Sequence, residues 1–266
     1  MSLHEERILP LLLRAGELIL SAHDVEAEGA VSEKAEDAAN LVTKYDSAVQ
    51  AFLVEELTAL YPDAAFVAEE KENDPAVLTS PRCFVIDPID GTANFVHGMR
   101  RSAISLAMLE EGETVIAAVL DPYLHEVFTA TRGGGAFLNG RPISVSHRDP
   151  THALTVFGTS PYYKDALAAP TFRLAERLFR KTRDIRRSGS AALDLAYIAA
   201  GRCDIFFECL LAPWDYAAAA LIIREAGGVI TDMKGAPLPP AAPTSVIAAN
   251  TVCYPYILGE TKDLLP

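Results

Sequence analysis

The sequence predicts an α/β protein in two halves, an α+β N-terminal half (1–150) built on an antiparallel sheet and an α/β C-terminal half (151–266). Three observations predict it. Two apolar stripes near the N-terminus recur at helical spacing. From 102 to 158, short β-rich runs are separated by hairpin punctuation. After Thr159, helical and strand-like segments alternate. The 266 residues are half apolar and 22% charged, with 16 glycines and 17 prolines, so the chain has ample material for a core and is not a disordered or collagen-like sequence.

In order along the chain, Ile8, Leu11, Leu12, Ala15, Leu18, Ile19 and Ala22 form the first helical stripe, which Pro10 should begin or kink. A second helix is expected over 43–60, with Val49, Phe52, Leu53, Leu57 and Leu60 on one face and Pro62 ending it. Runs 65–68 and 82–86 have strand length, and each delivers acids at its C-terminal end: Glu69 and Glu70, then Asp87. Strands are expected over 102–109, 114–120, 126–130 and 136–138, with Gly133 to Gly135 read as a hairpin turn and Asn139-Gly140 as another. The second half predicts helices over 170–181, 190–200, 215–226 and 256–265, and strands over 203–208 and 245–249. A Pro/Ala-rich loop at 236–243 is the one segment expected to be flexible. No repeat or linker separates the halves, so they should share an extensive interface.

Charge and cysteine usage exclude several classes. Of the net charge of −13, residues 1–80 carry −12, with 17 Asp/Glu against 5 Lys/Arg. Nucleic acid is therefore not an expected partner. Cysteines 83, 203, 209 and 253 form no CxxC pair and the six histidines no HExxH, which argues against a disulfide framework or a zinc site. No apolar stretch reaches membrane-spanning length and the N-terminus does not read as a signal peptide, so the expectation is a soluble cytoplasmic protein without membrane partners. Any metal must then be held by carboxylates.

The richest stretch is Asp87-Pro88-Ile89-Asp90-Gly91-Thr92-Ala93-Asn94-Phe95, directly after the strand ending at Ile86. Two carboxylates around a rigid proline at a strand end can face one point. Gly91 permits a tight turn, and Thr92 opens a short helix whose free N–H groups suit a phosphate dianion. Metal on one side and amides on the other would clamp a phosphate ester. An Asp-Pro turn with an aspartate capping a helix would read the same way. A second stretch, Glu208 to Asp215, leads into an alanine-rich helix that closes at Gly227-Gly228, with Asp215 at the expected N-cap. Glu69, Asp87, Asp90 and Asp215 together make the hard, oxygen-rich set that Mg²⁺ prefers. The basic segment from Arg173 to Arg187 reads as a solvated helix face, with Arg186 or Arg187 as the residue that could approach an anionic substrate.

These motifs resemble the inositol monophosphatase family of Mg²⁺-dependent, lithium-sensitive phosphatases. The resemblance covers nearly the whole chain: Leu41-Val42-Thr43 with Asp46, Ala68-Glu69-Glu70, the run from Asp87 to Gly98, Gly189-Ser190-Ala191-Ala192, and Trp214-Asp215 through Gly228. It implies a layered αβαβα sandwich, usually a homodimer, with the site between the halves. It implies Glu69, Asp87 and the Ile89 carbonyl as ligands of a first metal, and Asp87, Asp90 and Asp215 as ligands of a second. Two or three Mg²⁺ ions are implied in all, with Mn²⁺ able to substitute. Thr92 with Asp46 is similar to the pair that orients and deprotonates the attacking water, with Glu69 beside it. The Gly91 and Thr92 amides would hold phosphate, while Asp90, Ala191, Glu208 and Asp215 would face the substrate. Ala68 and Ser190 depart from the usual glycine and threonine; Ser190 keeps a hydroxyl.

The implied activity is hydrolysis of a small phosphate monoester by metal-activated water, inositol 1-phosphate or a related polyol or sugar phosphate. Fructose 1,6-bisphosphate, histidinol phosphate and nucleotide 3′-phosphates stay open as substrates. An aspartyl-phosphate mechanism of the haloacid dehalogenase type needs two aspartates two residues apart, nucleophile then acid/base, and Pro88 stands where the first would be, two before Asp90. A regulatory binding protein that keeps the fold without the chemistry is the non-enzymatic alternative.

Overall fold

The computed structural model describes residues 3–23, 25, 29–34, 41–74, 77, 80–240 and 242–264. Helix α1 (Leu3–Leu20) runs through Pro10 instead of beginning there, because its buried stripe, Ile8, Leu11, Leu12, Ala15 and Ile19, continues on both sides of the proline. A short antiparallel pair, β1 (Val31–Glu33) and β2 (Leu41–Thr43), then leads into α2 (Lys44–Leu60). Thr43 caps α2 in a reciprocal capping box with Asp46.

Next come β3 (Ala65–Ala68), β4 (Arg82–Asp90), α3 (Thr92–Val96), β5 (Ala103–Glu110), β6 (Glu113–Asp121), β7 (Glu126–Thr131), β8 (Gly135–Leu138) and β9 (Arg141–Pro142). The seven strands form one sheet in sequence order, antiparallel throughout except for the parallel β3–β4 pair. The expected hairpins are present, and the Gly133 to Gly135 turn joins β7 to β8. Strand β4 is longer than expected and carries Asp87 and Asp90 within it, not beyond its end.

The second half runs β10 (Leu154–Phe157), a 3₁₀ turn (Pro161–Tyr163), α4 (Lys164–Lys181), β11 (Asp184–Arg186), α5 (Ala191–Ala199), β12 (Ile205–Leu211), α6 (Pro213–Glu225), β13 (Val229–Thr231), β14 (Thr244–Ala249) and α7 (Tyr254–Glu260). Its sheet has the order β11-β10-β12-β14-β13, with β10 parallel to both neighbours and β14 antiparallel to both of its own. Helix α4 starts six residues before the expected 170 and contains Pro170. Helix α7 ends at Glu260, short of the expected 265, which itself lies outside the described residues. Strands β11 and β13, three residues each, carried no sequence signal long enough to separate from loop. The 236–243 loop is tied down at two points, since the Tyr216 hydroxyl meets the Pro239 carbonyl at 2.6 Å and that of Ala242 at 2.8 Å.

Three apolar clusters define the layers. Helices α1 and α2 cover the outer face of the seven-stranded sheet, α5 and α6 lie between the two sheets, and α4 and α7 cover the outer face of the five-stranded sheet. The result is an αβαβα sandwich. The central helices are apolar on nearly all sides, and the alanines at 217–220 let α6 approach both sheets closely. Their N-termini consequently meet the β4 aspartates at the C-terminal end of that strand. All four cysteines are free and buried, and among the described residues no helix is long and apolar enough to cross a membrane.

Candidate metal and phosphate site

In a regular strand, residues three apart point to opposite faces. Asp87 and Asp90 nevertheless converge, because the β4–β5 register breaks between them: Asp87 pairs with Ser105 and Asp90 with Ala103, so three steps on β4 oppose two on β5. Pro88, which has no N–H to offer the ladder, sits at the break, and Asp87 Oδ1 accepts from Ile89 N at 3.0 Å. The parallel register of Ala68 with Ile86 sets Glu69 beside Asp87, and Glu69 N donates to Ile86 O at 3.2 Å.

Asp90 reaches across to the second half. Its Oδ2 accepts from the Ser190 hydroxyl at 2.5 Å and Ala192 N at 2.8 Å, and Oδ1 from Ala191 N at 3.3 Å. A carboxylate thus meets the positive end of α5. Asp215 is the third residue of α6, not its N-cap; Ala212 occupies that position and donates its N–H to Asp215 Oδ2 at 2.8 Å. Asp87, Asp90 and Asp215 each offer an oxygen, all within 4.8 Å of one another. Among the described residues no lysine, arginine or histidine forms an ion pair with any of the three. Burial, reinforced by Glu69, Asp90 and Asp215, holds Asp87 well above the usual carboxylate range, and burial followed by Asp90 and Glu69 does the same for Asp215. Two buried acids and a half-buried one, mutually repelling, must either take up protons or hold a cation. Their hard oxygens, with spare lone pairs facing one point, fit Mg²⁺.

Glu69 stands at the edge of this group. Lys34, from the β1–β2 connection, contacts Glu69 Oε1 at 3.2 Å and Glu70 Oε1 at 2.5 Å. Burial still pushes Glu69 up to about 7. No sequence motif singles out Lys34, although it is one of only five basic residues in an acidic stretch.

Gly91 follows with φ 88°, a left-handed conformation, and a Cβ there would lie 2.9 Å from Gly189 O and 3.1 Å from Arg101 O. No other residue fits this turn. Thr92 then begins α3, and its hydroxyl lies 3.1 Å from the Ile89 carbonyl and 3.3 Å from Asp46 Oδ1. Asp46 is fully buried, and its other oxygen is held by Thr43 N at 2.8 Å and the Thr43 hydroxyl at 2.5 Å. The helix cap that starts α2 therefore also orients the acid behind Thr92. Burial pushes Asp46 up to about 6 against the pull of those Thr43 bonds.

These groups border a cavity of about 400 Å³, which is lined by Glu69, Asp87, Ile89, Asp90, Gly91, Thr92, Ala191, Glu208 and Asp215 among others. Glu208 lies inside β12 and not at its end. Its Oε1 accepts from Ser160 N at 2.7 Å, and a Cβ on Gly158 would sit only 1.8 Å from its Oε2. Burial pushes Glu208 up to about 7, and no arginine forms an ion pair with it among the described residues. Arg187 lines the same cavity and donates to the Thr159 hydroxyl at 3.2 Å, whereas Arg186 pairs with Asp184 away from it. The larger cavity of about 850 Å³, between α1, α3 and the β6–β7 turn, is lined by none of these acids.

The profile described as "Inositol monophosphatase family" matches residues 7–264. The chain is 40% identical over 225 residues to the Nus factor SuhB of Escherichia coli K12, spanning 84% of this chain and 82% of that protein. It is 41% identical over 196 residues to the fructose-1,6-bisphosphatase/inositol-1-monophosphatase of Thermotoga maritima, spanning 74% and 73%. The crystal structure of the extragenic suppressor protein suhB from Bartonella henselae superposes with a TM-score of 0.88 at 30% identity, covering 99% of this chain and all of that one.

Proposed function

The chain belongs to the inositol monophosphatase family, and from that premise we propose that it is an Mg²⁺-dependent hydrolase of small phosphate monoesters, with inositol 1-phosphate or a related polyol or sugar phosphate as substrate. The observation that carries this reading is the convergence of Asp87, Asp90 and Asp215 on one point of the cavity, where among the described residues neither Lys34 nor Arg187, which also line it, forms an ion pair with any of the three. Asp87, Asp90, Asp215, Glu69 and the Ile89 carbonyl would hold the metal, which supplies Lewis-acid stabilisation of charge on the phosphoryl group.

The remaining work falls to the chain. Gly91 and Thr92 open α3, whose first-turn amides lack helical partners and suit the phosphate oxygens. The Thr92 hydroxyl, turned toward Asp46, leaves its lone pairs to accept a proton from the attacking water while its own proton passes to Asp46. A base near 6 is poised for that transfer at neutral pH. Glu208 and Ala191 border the alcohol side, where Glu208 would accept hydrogen bonds from substrate hydroxyls.

The same reading assigns residues 1–150 to a half that carries most of the ligands and residues 151–266 to one that completes the site. It further makes the protein a cytoplasmic, lithium-inhibited homodimer that accepts Mn²⁺ in place of Mg²⁺. A purely regulatory role has one point in its favour, the name Nus factor borne by the Escherichia coli relative. Turnover decides between them. A panel of inositol, sugar, histidinol, nucleotide and aryl phosphates, assayed with Mg²⁺ and with excess chelator, should show metal-dependent phosphate release, greatest for a polyol or sugar phosphate. Absence of release from every ester would overturn the enzymatic reading.

A further inference from the structure

The outer wall of the cavity comes from a segment that no sequence motif singled out. Beyond β10, Gly158 N donates to Phe207 O at 3.1 Å, and the chain then turns at Ser160 with φ 43° and ψ 61°. A non-glycine residue persists in this left-handed conformation only where its surroundings hold it. Here they do: Ser160 N donates to Glu208, its hydroxyl donates to Leu210 O at 3.0 Å and accepts from Leu210 N at 3.1 Å, and its carbonyl accepts from Tyr163 N at 2.9 Å. The turn is thus bolted to the strand that carries Glu208. It projects Pro161, Tyr162 and Tyr163 over the cavity in a single 3₁₀ turn.

Tyr162 is 45% exposed as a residue, yet it lines the cavity together with the acids. Burial, then the charges of Glu69, Asp215, Asp87 and Asp90, push its ionisation well above the usual tyrosine range. The phenol therefore keeps its proton. It has no hydrogen-bond partner among the described residues, which leaves a neutral donor without a protein acceptor in the cavity that the acidic cluster lines. A neutral donor there adds attraction for phosphate oxygens without a positive charge that would compete with the metal.

We infer that Tyr162 is a substrate-contacting residue whose phenolic hydroxyl donates a hydrogen bond to the phosphoryl group of the ester held over Asp87, Asp90 and Asp215. The assignment rests on the phosphatase reading. A residue that merely covered the rim would contribute through its ring, and phenylalanine would replace it.

The test compares wild type with Tyr162→Phe in three measurements: calorimetric titration of inorganic phosphate in saturating Mg²⁺, titration of Mg²⁺ without phosphate, and kcat/KM on the best ester of the panel. The variant should bind phosphate about 10-fold more weakly, as expected for loss of one hydrogen bond to a charged group. Its kcat/KM should fall at least as far, while Mg²⁺ affinity and Tm stay unchanged. Equal phosphate affinity and equal kcat/KM in the two proteins would overturn the assignment. So would a matching loss of Mg²⁺ affinity or Tm, which would make Tyr162 structural. A wild type that neither binds phosphate nor hydrolyses any ester marks instead the failure of the phosphatase reading, and the assignment falls with it.

Discussion

Asp204 and the Asp87–Asp90–Asp215 group are both buried acidic sites, and they differ in how the chain treats the charge. Asp204, just before β12, is fully buried, and the chain meets it from every side. Arg148 Nε lies 2.9 and 3.0 Å from its two oxygens, Leu154 N donates at 2.7 Å, Asn250 Nδ2 lies at 3.4 Å, and the Ser146 hydroxyl donates as well. One guanidinium and several neutral donors leave nothing to add. The three aspartates of the cavity gather their charge without an ion pair to any basic side chain among the described residues, Lys34 being engaged by Glu69 and Glu70 instead. Burial alone does not mark a functional acid; burial without compensation does.

The largest effect expected from breaking this contrast is at Asp90. Asp90→Asn keeps one oxygen for the Ser190 hydroxyl and Ala192 N, gives up the long bond from Ala191 N, and removes a charge from the cluster. Turnover should fall by at least roughly 100- to 1,000-fold, on the scale of losing a principal electrostatic stabiliser. The Tm without metal should hold or rise, because one of three mutually repelling acids is gone. Saturating-Mg²⁺ kinetics and a melt in chelator read both, and near wild-type turnover would refute the role of Asp90 in metal binding.

Asp204→Asn is the converse. Arg148 is 40% exposed and can turn to solvent, so the cost is that of the weakened hydrogen bonds to the buried acid, about 1–3 kcal/mol, or roughly 2–12 °C in Tm. Well below the melt, kcat/KM should stay within about two-fold, since Asp204 does not line the cavity. A selective loss of kcat at unchanged Tm would move Asp204 into the functional class.

This contrast was only half legible in the sequence. The aspartates of the 87–98 run and Asp215 stand out because proline, glycine and helix-start residues surround them; α2 and the hairpin strands lie close to their expected bounds, whereas α4 begins six residues early. Strands β11 and β13 escaped because three residues carry too little periodicity to separate from loop. The convergence of Asp87 with Asp90 depends on a register break between two strands, which sequence spacing does not encode. Asp215 was misplaced as an N-cap because the turn at Ala212 to Trp214 uses Pro213 as the first helical residue. Lys34 and Tyr162 reach the cavity from segments distant in sequence and outside every motif.

Glu208 sharpens the comparison from the substrate side. It is buried, unpaired with any arginine among the described residues, and fixed by Ser160 N and by the absence of a side chain at Gly158. Glu208→Ala should cost about 1.5–3 kcal/mol in kcat/KM for each hydroxyl of inositol 1-phosphate that the carboxylate binds in the wild type. p-Nitrophenyl phosphate, which has no such hydroxyls, should barely respond. Equal proportional losses on the two esters would remove the specificity role.

Asp194 lies between the two extremes and gives the smallest effect. It sits on α5, is 1% exposed, and its Oδ1 has no hydrogen-bond partner; Arg101 Nη2 comes only to 3.7 Å. Burial pushes it up to about 7 against the pull of the Ser188 hydroxyl and Arg101. In the folded chain it therefore keeps a proton that the unfolded chain gives up near the ordinary value of 3.8. The sign follows from linkage: this stability is fully present below about pH 4 and is lost as pH rises toward 7, because over that window the unfolded chain gains the freedom to ionise Asp194 while the folded chain does not. Asp194→Asn cannot titrate, so the variant lacks that falling limb. Measured in chelator at pH 5, 6, 7 and 8, the Tm of Asp194→Asn relative to wild type should climb by several degrees and level off above 7, with the cavity acids titrating alike in both proteins. A pH-independent difference would mean that Arg101 fully compensates the charge, and Asp194 would then join Asp204 as an acid the chain has already satisfied.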